Sequence, residues 1–533
     1  MSALRGTGAL VRLALRLDRV KLPVWIAGLA LATISTASAF QGLYPDVASR
    51  QAFGATVTTN PALTALIGPL FDATSIGGLT AWRIGPVVVL AGLMGLQTVV
   101  RHTRAEEEGG RLELVGAAVV GRHAPLTAAL LVALGAGLAL AAVIAGGMVG
   151  LGLEPSGALA LGLAVATTAW AFAAVAAVAA QVTSSARAAN GIAGGVLALA
   201  YLLRALGDSA PEDTLRSGLS WVSPIGWSQQ LRPFADERWW VLGVVAAFVA
   251  AAGALAFALR AHRDVDAGLV STRSGPAAAQ AWLGSPWGLA WRLQRATLLW
   301  WAVGFAVFGS VFGAVAQDMG AVVGDNPQLT AIVAQLGGVE ALVDAFLAAA
   351  TSIIGLVSSV FAVQATLRLR GEELGLRAEQ VLATPVRRLP WAASHVVIAI
   401  AGTALLLVVA GTCAGLVHGL RAGDVGGTLP AVVGAALAQL PAALVLAGVA
   451  LALFGALPRF VSLSWAAIAV TLLISQLGPV LQLDQWVLDL APFSHVPQLP
   501  GAEMTWTPLV WLTVVAAASM AIGLVGLRRR DMG

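Results

Sequence analysis

The sequence predicts an all-α polytopic membrane protein of about twelve transmembrane helices, arranged as two parallel, pseudo-symmetric six-helix halves with cytosolic termini. Three observations carry that expectation. The composition is too apolar for a soluble domain, apolar runs of membrane length alternate with basic segments, and a polar pattern recurs 266 residues further on. Hydrophobic residues make up 58% of the chain and charged ones 11%, and mean hydropathy is +0.84. A soluble domain carries about 25% charged residues, so the apolar surplus must face lipid.

In chain order, apolar runs fall near 22–44, 79–101, 125–149, 156–180, 187–207 and 239–260, then near 298–317, 345–367, 391–417, 429–455, 463–482 and 508–527. Each approaches the ~20 residues a helix needs to cross the hydrocarbon core. Their many Ala and Gly residues let helix backbones approach closely. Trp25, Trp82, Trp239, Trp240, Trp300, Trp301, Trp391 and Trp511 sit near run ends, where interfacial anchors belong.

Basic residues set the orientation. With both termini in the cytosol, the inner segments hold 24 of the 31 Lys and Arg. Arg50, Arg204, Arg216, Arg232, Arg238 and Arg421 lie on the outer side, and Arg83 lies inside a run. The positive-inside rule therefore gives the chain cytosolic ends, and the expected location is the plasma (inner) membrane, multi-pass. The same distribution explains the net charge of +4 without nucleic acid. Residues 1–39, ending in Ala37-Ser38-Ala39, resemble a cleavable signal peptide. Cleavage would leave eleven spans and unbalance the halves, so the first run is read as a span.

The duplication is legible in polar residues. Asn60-Pro61-Ala62-Leu63-Thr64-Ala65 recurs as Asn326-Pro327-Gln328-Leu329-Thr330-Ala331. At the same offset Arg104, Glu106, Glu107, Gly109, Arg111, Glu113, Val115, Ala117, Val120 and Arg122 find identical partners. These are Arg370, Glu372, Glu373, Gly375, Arg377, Glu379, Val381, Ala383, Val386 and Arg388. Pro224, Gln230 and Leu231 recur as Pro492, Gln498 and Leu499 after a two-residue shift. Six spans return the chain to its starting side, so the repeat is parallel. The expected division is an N-terminal half over 1–260, a cytosolic linker over 261–287 and a C-terminal half over 288–533.

The inner loops at 104–122 and 370–388 are the candidate functional elements. On a helix, their paired glutamates come near the start and their arginines near the end, as the macrodipole favours. A solvated loop with salt bridges explains one copy, whereas two copies in register point to a common task at two equivalent sites. Residues 5–21 and 286–297 have the pattern of basic amphipathic helices lying on the inner membrane face. The segments around Pro224 and Pro492 suggest short interfacial or re-entrant helices.

Several chemistries are excluded or disfavoured. The only lysine is Lys21 in VKLP, so the sequence has no Walker A loop. Cys413 is the one cysteine and the six histidines are scattered, so no metal site is argued. No Asp or Glu falls within the twelve runs, which disfavours proton coupling. Arg83 is the clear intramembrane charge, with Ala349 at the repeat position. It is a candidate substrate-pathway residue, expected to line an outward-facing cavity near Asp344; snorkelling to the nearby outer interface is the alternative.

With these features set out, the chain resembles ABC-2-type permeases: six spans per half, a basic surface helix first, an E-E-x-G-x-R-x-E loop after the second span and a proline-bearing outer loop. The fused, duplicated form is similar to the polyketide-antibiotic exporter permeases related to the tetronasin exporter. The resemblance implies a type V exporter architecture. It makes the two loops coupling helices, each seated on one of two copies of a separate ATPase that holds ATP and Mg. The chain itself would be a non-catalytic permease subunit without a cofactor, moving hydrophobic or amphipathic antibiotic-like compounds outward along the second and fifth spans. The alternative is a stand-alone secondary transporter with twelve spans, which would show membrane carboxylates and a basic loop after span two.

Overall fold

The structure is a computed structural model, and it describes residues 3–58, 64, 66–210, 217–263, 268–270, 278–323, 338–477 and 484–531. The described residues are helical with no strand, as expected for an all-α membrane protein. Two compact units divide the chain, residues 1–275 and 276–533. Among the described residues, ten helices are long and apolar enough to cross a membrane, or eleven with one bent pair. The twelfth expected span, near 463–482, is a helix Leu463–Leu477 of 15 residues, and 478–483 lie outside the described residues.

In the first unit the helix Thr7–Leu17 precedes the first membrane helix, Lys21–Leu43. Pro23 explains the break between them. A proline ring clashes with the carbonyl four residues back, here Arg19, so helix cannot run through that turn. Leu13-Ala14, Arg16-Leu17 and Arg19 recur 276 residues on as Leu289-Ala290, Arg292-Leu293 and Arg295, which sets Leu299 opposite Pro23, and there one helix runs unbroken from Pro286 to Val323. The separate amphipathic helix expected at 286–297 is therefore absent.

The second membrane helix repeats the contrast. Helices Ile76–Arg83 and Gly85–Glu108 meet at a 54° bend, and Pro86 supplies the same steric cause. Its repeat position is Ser352, inside the continuous helix Gly338–Thr366. The single span expected at 79–101 is thus a broken one.

Pro155–Val182 forms the axis of the first unit, packed by Gly85–His102, Ala124–Gly150, Ala186–Asp208 and Val241–Ala261. In the second unit Arg388–Ala422 lies along Pro286–Val323, and Leu440–Ala456 along Trp506–Arg529. Gly309 and Gly313 permit the first of these contacts, because a Cβ at either would collide with the carbonyl oxygens of Ala410 and Ala414.

Three expectations need correction. Trp82 and Trp391 are packed inside, 8% and 2% exposed, rather than anchored at an interface. Asp208 and Asp344 fall within observed helices near their ends, so the helices are not free of carboxylates. Arg204, read as an outer residue, is 1% exposed within Ala186–Asp208. The first repeated hexapeptide lies outside the described residues except Thr64, and the second wholly so.

Candidate functional site

The loop after the second membrane helix is two short helices in each unit. They are Arg104–Glu108 and Arg111–Gly116 in the first, and Arg368–Leu374 and Arg377–Leu382 in the second. The single amphipathic helix expected in each loop is interrupted by a left-handed residue at the same repeat position, Gly110 at φ +69° and Leu376 at φ +55°. Glycine adopts this conformation freely, whereas a leucine must be held in it by its surroundings.

An arginine just past each break reaches back over it. Arg111 grips Glu106 through two bonds of 2.6 and 3.0 Å, and Arg377 meets Glu372 at 3.1 Å. Both arginines are exposed, with 60% and 54% of their side chains in solvent. The Glu106 contact raises the Arg111 pKa further above its ordinary value.

The second glutamate of each pair reaches an arginine at the end of the last membrane helix, although in the second loop the more buried carboxylate is the first one, Glu372. Glu107 accepts two bonds from Arg263, at 2.7 and 2.8 Å, and a contact from Arg104 at 3.1 Å. Glu373 meets Arg530 at 2.6 Å. Arg263 and Arg530 each follow the last membrane helix of their unit, so each loop is fastened to that helix. A second tie lies beside each first one: Arg260 donates to the Arg122 carbonyl at 2.9 Å, and Arg388 to the Arg530 carbonyl at 2.7 Å.

In the first unit the fastening also completes a helix end. The last carbonyls of Pro155–Val182 lack intrahelical partners. Arg104 donates twice to the Ala180 carbonyl, at 3.0 and 2.6 Å, while the Leu269 and Val270 amides reach those of Gln181 and Val182. Glu108 accepts from the Ala186 amide at 2.8 Å, at the positive start of Ala186–Asp208. Leu374 occupies the Glu108 position in the second loop and is 72% exposed.

The expected site residues therefore separate by exposure. Arg104, Glu107 and Glu372 are buried in internal ion pairs, and Arg370 and Glu373 are half-buried. Arg111, Glu113, Arg377 and Glu379 face solvent. Gly109 and Gly375 end the first helix of each loop. Beside them stand exposed apolar groups that the charge pattern did not single out, Leu114 at 76% and Leu376 at 62%.

Arg83 ends the short helix before the 54° bend and is exposed. The charge held inside is Arg204. Its guanidinium lies 3.4 Å from Asp208, donates to the Leu66 carbonyl at 3.0 Å and stacks 4.6 Å over Tyr201. The next two carbonyls, of Ile67 and Gly68, accept from Gln229 at 2.9 Å and Trp82 at 3.0 Å. Three helices thereby hold the segment 66–68. The run at 187–207 contained Arg204, but its partners lie far away in sequence and only the fold joins them.

The family described as multidrug efflux system permease Rv1217c, C-terminal domain, matches residues 8–258 and again residues 283–528. The chain belongs to this permease family. A single family description matching both halves agrees with the repeat seen in the loops. The chain is also 45% identical over 534 aligned positions to the multidrug efflux system permease protein Rv1217c of Mycobacterium tuberculosis (strain ATCC 25618 / H37Rv), covering 100% of this chain and 96% of that protein.

Proposed function

We propose that the chain is the membrane-spanning permease subunit of an ABC-type exporter of the ABC-2 class, moving hydrophobic or amphipathic drug-like compounds out of the cell. A separate ATPase present in two copies supplies the energy, carrying ATP and Mg. The permease lies in the plasma membrane with its termini in the cytosol. Supporting this reading are the kinship with a multidrug efflux system permease and the lack of a Walker A lysine. The observation that carries it is the matched loop geometry: both units present a short helix pair, broken at Gly110 or Leu376, whose second glutamate is fastened to the end of the last membrane helix.

On this reading the exposed faces, with Glu106, Arg111, Glu113 and Leu114 on one loop and Leu374, Leu376, Arg377 and Glu379 on the other, seat the two ATPase subunits. The pairs Glu107–Arg263 and Glu373–Arg530 carry the resulting displacement to the last helix of each unit. Arg83, exposed at the bend, contacts a polar group of the compound in transit.

The test is co-purification with the ATPase, together with ATP-driven dye efflux from sealed vesicles. Charge reversal at Arg111 and Arg377, combined with Leu114→Asp and Leu376→Asp, is expected to abolish both. Normal assembly and efflux by that variant would remove the docking role. Uphill transport by the purified chain without ATPase would favour a secondary transporter instead.

A further inference from the structure

We infer that the first unit carries a groove for the acyl chain of an anionic phospholipid. It lies between the helix Thr7–Leu17, the start of Lys21–Leu43 and the first half of Ala124–Gly150. The groove has an open volume of about 450 Å³, with Leu15, Pro23, Ile26, Gly135 and Ala139 among its walls. That volume lies within the range of small-molecule sites. Gly135 gives it depth, because no atom stands within 4 Å of where a Cβ would be. From 131 to 139 the wall helix rises about 12 Å at ~1.5 Å per residue, most of one leaflet of a core ~30 Å thick. Leu15, Leu131 and Ala139 are exposed, so the trough opens sideways, where a spanning chain meets lipid.

The rim decides the headgroup. The one acid lining the groove, Asp18, is 2% exposed and engaged by Arg101 at 2.8 Å and His102 at 2.5 Å. Its charge is therefore answered from within. Arg19, beside it on the rim, is exposed, and Arg12, Arg16 and Lys21 on the same segment are exposed as well. A cationic rim over an apolar trough fits a negative phosphate headgroup with its chain below. The break at Pro23 sets the surface helix apart from the membrane helix; the second unit, with Leu299, continues as one helix.

The full chain, purified from vesicles of equal parts phosphatidylglycerol and phosphatidylcholine, is washed and its retained lipid counted by native mass spectrometry. Wild type is expected to hold phosphatidylglycerol in about fivefold excess, the factor one basic group contributes near a membrane surface. Arg19→Gln should bring the two lipids level, and Arg19→Lys should restore the excess. Ala139→Trp, at an exposed position, should expel both lipids while gel-filtration behaviour is unchanged. Equal retention by wild type, or undiminished phosphatidylglycerol in Ala139→Trp, overturns the inference. Neither readout depends on ATPase docking or transport.

Discussion

Glu107 and Arg263, 156 residues apart, are joined by paired N–H···O bonds of 2.7 and 2.8 Å. Their side chains are 3% and 5% exposed, and Arg104, at 0%, shares the same carboxylate. Glu107→Ala would remove the carboxylate that two buried guanidinium groups share. Breaking a buried pair in this way costs about 3–5 kcal/mol. The expected result is a large fall in thermal midpoint and folded yield in detergent, measured against wild type.

Glu106 offers the control. Its pair with Arg111 has the shorter bond, 2.6 Å, but the arginine is 60% exposed. Exposed pairs contribute about 0–1 kcal/mol, so Glu106→Ala should leave the thermal midpoint nearly unchanged. A stability loss equal to that of Glu107→Ala would contradict the distinction between the two glutamates.

Arg204 and Arg83 invert the ranking that the sequence suggests. Arg204→Met removes the cation facing Asp208, whose side chain is 3% exposed, leaving that carboxylate with the Ser220 hydroxyl and the Leu66 carbonyl with the Tyr201 hydroxyl. A cost of about 3–5 kcal/mol follows by the same logic. Arg83→Ala removes an exposed side chain and should change stability by less than about 0.5 kcal/mol. Its effect should appear in efflux rate or substrate range, normalised to membrane level; unchanged efflux of every tested dye would end its pathway role.

Asp72 predicts a pH dependence. Partial burial raises its pKa, but hydrogen bonds from Ser75 and Thr74 outweigh this and hold it below the ordinary value. A lowered folded pKa means stability that is fully present above the unfolded value, about 3.9, and lost as pH falls through the folded one. The midpoint difference between wild type and Asp72→Asn should be constant from about pH 7 to 5 and shrink below about 4. A difference that instead grew on acidification would reverse the sign and refute the assignment.

Membrane helices were legible because lipid demands long apolar runs, and the repeat was legible because polar identities at one offset do not arise from composition. The inward turn of Glu107 was not, since nothing local marks Arg263 as its partner. The pattern E-E-x-G-x-R does not reveal that its first glutamate serves the following arginine while its second serves the end of a distant helix. Arg204 was hidden for the same reason: a charge at the end of an apolar run resembles a boundary until its partners are located. The break before the first membrane helix was legible in the basic amphipathic pattern of 5–21, whereas the bend at Pro86 lies inside an apolar run whose length alone suggests one straight span.

The prolines also bear on why the two copies share a polypeptide. In a dimer of identical six-helix chains, a kink-forming residue must occur in both subunits or in neither. Fusion lifts that constraint, so one copy can be jointed near its first and second membrane helices while the other keeps continuous helices at the same places.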